Sequence, residues 1–211
     1  MKSYIELQVP LRNDAQWFEE LRTKMSEQGV NVRWQNDFYH ITVVFVNKIV
    51  KQPNIHAFAP IYKCLSYKAA PHLTFDTLDA FTSKSGEHIV YLTSSCPSEE
   101  IREFVNNIRK TIDEAGWIYE PDFLLHVTLG RISSKLISLE ELKKLISQVS
   151  MPSFTLQLFS AKFIKLENHE VLEKYKLYPD KESAKVAEEE RKRQAFMNAL
   201  GNFQIFADPD F

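Results

Sequence analysis

Two short segments pair an imidazole with a hydroxyl at the same spacing, His40-Ile41-Thr42-Val43 and His126-Val127-Thr128-Leu129. In an extended strand, residues i and i+2 project from one face. His40 would therefore stand beside Thr42 and His126 beside Thr128, while Ile41 and Val127 turn to the opposite, apolar side. An imidazole exchanges a proton near neutral pH, and a threonine hydroxyl can donate to an anionic oxygen. Two such pairs around one anion suit displacement at a phosphodiester. One histidine removes the proton of the attacking water or hydroxyl and the other protonates the leaving alkoxide, each transfer being worth roughly 10²–10⁴-fold in rate. The threonines would hold the non-bridging oxygens as negative charge builds. Which histidine is acid and which is base stays open.

A lone His-x-Thr is a weak signal, and the chain contains a third, His72-Leu73-Thr74. What separates the first two is their place in a repeat. Ile5, Leu7 and Val9 alternate with polar residues and predict a first strand. A helix follows with Trp17, Phe18, Leu21 and Met25 on one face, capped by Asn13 or Asp14 and stopped at Gly29. Residues 38–46 are β-branched and aromatic, which predicts a strand. Ile55, Phe58, Tyr62 and Leu65 then recur at helical spacing, and residues 72–78 return to strand character.

The same order follows again: a strand over 89–93, a helix over 98–115 closed by Gly116, and a strand over 123–130. A helix over 139–149 opens on a Ser138/Glu141 capping box, and a last strand covers 154–166. Ile5 to Ile89 spans 84 residues and His40 to His126 spans 86, so two copies of strand–helix–strand–helix–strand are the economical reading. His72 fails the repeat test, because its counterpart lies near Phe154. It reads as a polar residue at a strand start, and His56, His88 and His169 have no equivalents either. The expected fold class is α+β: a bilobal, pseudo-symmetric duplication with mainly antiparallel sheets facing a central cleft. Lobes of about 1–80 and 86–166 with interleaved sheets would make one domain over 1–178, followed by a charged helical extension over 179–211. The apolar tail residues Phe203, Ile205, Phe206 and Phe211 would dock on the protein's own body or on a partner, or belong to a disordered end.

Composition sets further bounds. The 211 residues include only five glycines, none closer than fourteen residues to another, so Walker and dinucleotide glycine motifs are excluded. Lys plus Arg number 26 against 28 Asp plus Glu, a formal charge of −2. That balance fits a substrate held by one phosphate and a base or two better than a DNA duplex. Cys64 and Cys96 lack disulfide-framework or zinc spacing and read as reduced thiols. Neither a signal peptide nor an apolar membrane span is evident. The expectation is a cytoplasmic monomer that needs no metal or other cofactor and meets no membrane.

The paired motifs in a chain of this size resemble the two-histidine (2H) phosphoesterase superfamily, nearest its branch of bacterial RNA 2′,3′-cyclic phosphodiesterases, also called 2′-5′ RNA ligases. The resemblance spans residues 3–178. It includes Trp34 ahead of the first motif, Leu125-His126-Val127-Thr128-Leu129-Gly130-Arg131 at the second, and Tyr175-Lys176-Leu177 after the closing strand. It implies two related α+β lobes with the motifs facing a central cleft, and metal-independent hydrolysis or transesterification of a 2′,3′-cyclic or 2′-5′ phosphodiester in a nucleotide or RNA end. It also implies His40 and His126 as catalytic residues and Thr42 and Thr128 as phosphate ligands. Phe81 resembles a family aromatic that borders the cleft. Arg131 is a candidate for phosphate, although strand alternation turns it away from His126 unless the strand ends at Gly130. The sequence departs from the family at Leu125, where proline is frequent, and in its glycine-poor loops. Two other functions stay open: a non-catalytic RNA- or nucleotide-binding protein of this fold, and an interaction protein working through its tail.

Overall fold

A computed structural model describes residues 1–50, 56–121 and 124–205, with side chains described to residue 199. In chain order the elements are β1 (Ser3–Gln8), α1 (Gln16–Glu27), β2 (Arg33–Trp34), β3 (His40–Lys48), α2 (Ala59–Leu65), β4 (His72–Phe75) and β5 (Thr77–Thr82). There follow β6 (Glu87–Thr93), α3 (Glu99–Glu114), β7 (Ile118–Tyr119), β8 (His126–Ser133), α4 (Leu139–Ile146), β9 (Phe154–Gln157), β10 (Ser160–Lys165), β11 (Val171–Lys176) and α5 (Lys181–Ile205). The class is α+β, with antiparallel strand pairing throughout the named strands.

The duplication is visible in the topology. Seven strands lie in the order β11-β10-β1-β3-β8-β6-β5; reading outward from the β3/β8 junction, β3-β1-β10 is matched by β8-β6-β5, and β11 is added at one edge. The copies exchange parts across that junction. β5 ends the first copy yet pairs with β6 of the second, and β10 ends the second yet pairs with β1 of the first. The two-residue strands cross as well, β2 pairing with β8 and β7 with β3. Helices follow suit: α2 and α3 pack together under the β3 side, α1 meets α4, and one continuous apolar core runs beneath.

Strands expected over 72–78 and 154–166 each divide in two. Their first parts, β4 and β9, pair with each other in a separate two-stranded sheet, and their second parts join the large sheet. The predicted strand starts at 38 and 123 fall later, at His40 and His126; Phe123 lies outside the described residues. Gly29 and Gly116 follow the caps of α1 and α3 with φ of 68° and 70°, the left-handed stop expected of them. The Ser138/Glu141 capping box is present.

Three local expectations are corrected. α1 has Ala15 at its N-cap with no side-chain cap, because Asn13 bonds Asn36 and Tyr39 while Asp14 pairs with Arg12. In α2 it is Ile61, Cys64 and Leu65 that face inward. Tyr62 is instead 41% exposed, beneath the Arg191 guanidinium of α5, and Ile55 lies outside the described residues. Gly130 does not end its strand. β8 runs on to Ser133, and Gly130 lies where a Cβ would come within 2.7 Å of Val32 and 2.9 Å of Trp34. The glycine lets β2 lie flush on β8, where Trp34 pairs with Gly130.

The extension after residue 178 is helical. Ala184 is buried and Arg191 lies over Tyr62 and Tyr67, so the first half of α5 docks on the body, whereas Phe196 and Met197 are exposed. Side chains of Phe203, Ile205, Phe206 and Phe211 lie outside those described. Because methyl insertion against packed atoms costs about 1–3 kcal/mol, Gly130→Ala should lower the urea-unfolding midpoint by a corresponding amount. An unchanged midpoint would show that β2 yields freely.

Candidate active site

The core-facing residues of the two motif strands set the geometry. Ile41 and Val127, both buried, are the Cα partners that join β3 to β8. Their neighbours must therefore emerge on the other face. In an antiparallel pair this puts His40 across from Thr128 and Thr42 across from His126, four side chains around the pseudo-twofold axis. The histidines occupy one diagonal, where Cβ atoms are ~7–8 Å apart. The four predicted residues thus come together on one face, on adjacent strands of a single sheet.

Both rings are held from behind. Nδ1 of His126 lies 2.8 Å from the carbonyl oxygen of Leu124, and Nδ1 of His40 lies 3.4 Å from that of Phe38. Each carbonyl belongs to the residue two before its histidine. An Nδ1–H donated rearward leaves Nε2 turned toward the cleft. Phe38 itself adopts a left-handed φ of 57° and is 72% exposed.

The surroundings of the two histidines differ. His126 meets the rings of Phe81 and Tyr91 edge-on at 5.5 Å and 5.6 Å between centroids. Burial among these groups pushes its pKa below the ordinary histidine value. Its bond to Leu124 opposes that shift, while the charges of His40 and Arg131 add to it. The Tyr91 hydroxyl donates to Asp79, which also pairs with Lys143. Beside His40, the buried carboxylate of Glu6 approaches Nδ1 to 3.7 Å and meets Lys162 at 3.4 Å on its other side. Tyr4 stands 6.5 Å from the His40 ring and bonds His169.

Phe81 lies edge-on against the His126 ring. Arg131 corrects the simple alternation. Val90 pairs with Gly130 but Tyr91 with Thr128, so β8 bulges at Leu129 and its facing resets. Arg131 lies opposite Ile89, two residues from Tyr91, and so shares the face of Thr128 without the strand ending. It also approaches Glu87 at 4.0 Å. The first copy carries the same bulge at Val43, between the partners Ile5↔Val44 and Glu6↔Thr42, which puts Phe45 at the place of Arg131.

The remaining histidines stand apart. His72 is exposed at the edge of the small sheet and pairs with Glu100. His88 is buried and bonded to Thr82 and to the Ile137 carbonyl. Among the described residues, no three His, Cys, Asp or Glu side chains are grouped to hold a metal ion. Sequence reasoning passed over Glu6, Tyr4, Tyr91 and Lys162. Alternation already put Glu6 and Tyr4 on the polar side of β1, but that side reads as solvent until β3 and β10 close around it.

No family model matches the sequence, and no curated protein matches it significantly. Solved structures do. Usb1 of Kluyveromyces marxianus superimposes with a TM-score of 0.53 at 11% identity, over 83% of this chain and 98% of that one. Its complex with uridine monophosphate gives 0.52 at 12% identity with the same coverage. E. coli LigT complexed with 3′-AMP gives 0.47 at 14% identity, over 84% and 99% of the two chains. The chain has the 2H phosphoesterase fold.

Since burial lowers the His126 pKa, NMR titration should find its midpoint below ~6.5, the model-peptide value. Phe81→Ala, which admits water to the ring, should raise it. A midpoint at or above the peptide value would show that the aromatic walls do not disfavour the charged His126 ring.

Proposed function

We propose that the protein is a phosphodiesterase that cleaves a 2′,3′-cyclic phosphate or 2′-5′ phosphodiester in a nucleotide or RNA end, using His40 and His126 as its acid–base pair. The observation that carries this reading is the four-membered cluster of His40, Thr42, His126 and Thr128 around the β3/β8 junction. A phosphate centred there would meet the two imidazole Nε2 atoms along one diagonal and the two threonine hydroxyls along the other. One imidazole takes the proton of the attacking oxygen as its bond to phosphorus forms. The other gives its proton to the ribose oxygen as the old P–O bond breaks. The threonines donate to the non-bridging oxygens, where charge grows.

Arg131 brings a cation to the same face, and Phe81 and Tyr91 offer aromatic surface for a base. The uridine monophosphate held by the Kluyveromyces marxianus Usb1 structure, which shares the fold, supports a nucleotide as the ligand class. A domain over 1–178, a monomeric state, a cytoplasmic location and catalysis without metal or other cofactor belong to the same proposal. Among the described residues no helix is long and apolar enough to cross a membrane.

Hydrolysis of nucleoside 2′,3′-cyclic phosphates should fall ~10²–10⁴-fold in His40→Ala and in His126→Ala, and barely change in His72→Ala. Chelator should leave the wild-type rate unaltered. Full activity in His40→Ala, or no cleavage of any phosphodiester by wild type, would defeat the enzyme reading and favour a binding protein of this fold.

A further inference from the structure

The pseudo-twofold axis relates the two histidines, but the residues behind them break the symmetry. Glu6 lies opposite Thr42 on β1, and Tyr91 lies opposite Thr128 on β6. One strand further out, Lys162 pairs with Glu6 and Asp79 with Tyr91. At matching places, one half therefore has a carboxylate against its histidine and the other a phenol. Glu6 is only 5% exposed. A buried carboxylate is costly unless a cation or donors answer it. Lys162 from β10 does so at 3.4 Å, and Nδ1 of His40 from β3 comes within 3.7 Å, an ion pair whenever that ring is protonated. The second distance is ion-pair range rather than a hydrogen bond. The remaining polar groups around His40 are the Phe38 carbonyl, 3.4 Å from Nδ1, the hydroxyls of Thr42 and Tyr4, His169 bonded to Tyr4, and His126 across the axis.

We propose that Glu6 is a positioning residue for His40: together with the Phe38 carbonyl its carboxylate keeps Nδ1 turned away from the cleft, and it answers the positive charge that the ring carries as general acid, leaving His126 as general base. This rests on the phosphodiesterase reading above and gives each histidine one role. A carboxylate behind an imidazole fixes tautomer and orientation and stabilises the imidazolium, as in hydrolase triads. At the other histidine, aromatic walls disfavour the charged form, which suits a base that must begin neutral. In the forward step His126 Nε2 accepts the proton of water while its oxygen bonds to phosphorus. The bond from phosphorus to the ribose oxygen breaks, and His40 Nε2–H delivers its proton to that oxygen. Solvent then returns the histidines to their starting states.

The test uses two leaving groups. Uridine 2′,3′-cyclic phosphate expels a ribose alkoxide, which needs a proton, whereas thymidine 3′-(4-nitrophenyl phosphate), which has no 2′-hydroxyl and so keeps water as the nucleophile, expels a phenolate that leaves without one. Glu6→Gln should lower kcat on the cyclic phosphate about tenfold or more with KM little changed. On the nitrophenyl ester it should cost less than about threefold. His126→Ala should lose both activities, and Glu6→Asp, which keeps the charge, should recover part of the cyclic-phosphate rate. Equal losses on both substrates would mark Glu6 as merely structural and overturn the proposal.

Full cyclic-phosphate activity in Glu6→Gln, with His40→Ala inactive, would overturn it while leaving the phosphodiesterase reading intact. If wild type cleaves neither substrate, the phosphodiesterase reading and the acid–base roles fall together. A measurement needing no variant is the ¹⁵N spectrum of wild-type His40. The neutral ring should carry its proton on Nδ1, and an Nε2–H tautomer would overturn the positioning role on its own.

Discussion

The pairing of Ile41 with Val127 holds the molecule's two halves in register. It sits within an apolar row that crosses the large sheet from Tyr175 through Ala161, Leu7, Ile41, Val127 and Leu92 to Leu78, nearly all of it buried. Each fully buried aliphatic side chain in such a row contributes ~1.5–3 kcal/mol. A one-residue slip of either motif strand would turn these side chains to water and the histidines into the core. The register that stabilises the core is thus the one that brings the two His-x-Thr segments onto one face.

Exchange between the copies makes that register hard to alter. β5 and β10 each leave their own copy to flank the other's first strand, while β2 and β7 cap the other's motif strand. Neither half of the sequence can complete its sheet alone. Close contacts follow, most plainly at Gly130, where Trp34 and Val32 of the first copy press against the backbone of the second. The matching bulges in β3 and β8 belong to the same plan. By adding one residue to each strand just past its motif, they return Phe45 and Arg131 to the cleft face.

Symmetry of backbone is combined with asymmetry of side chains: the duplicated strands place two imidazoles equivalently, and their neighbours differ. Phe81, Tyr91 and Arg131 surround one, and Glu6, Lys162 and Tyr4 the other. Electrostatic differences of this kind persist at the cleft because the sheet and its core shield the site from bulk water on one side.

The local patterns were legible from residues alone. Period-two alternation and the equal spacing of two His-x-Thr segments led to the duplication, the α+β class and the four central residues, because side-chain facing within a strand is a local property. The helix stops at Gly29 and Gly116 and the Ser138 cap are likewise short-range chemistry. Tertiary structure decided what depends on neighbours distant in sequence. The exchange of β5 and β10 between copies, the bulge that turns Arg131 inward and the close approach at Gly130 all require a partner strand to define them. Glu6 shows the limit most clearly: the sequence puts it on the polar side of a strand, and only packed β3 and β10 turn that side into the wall of a site.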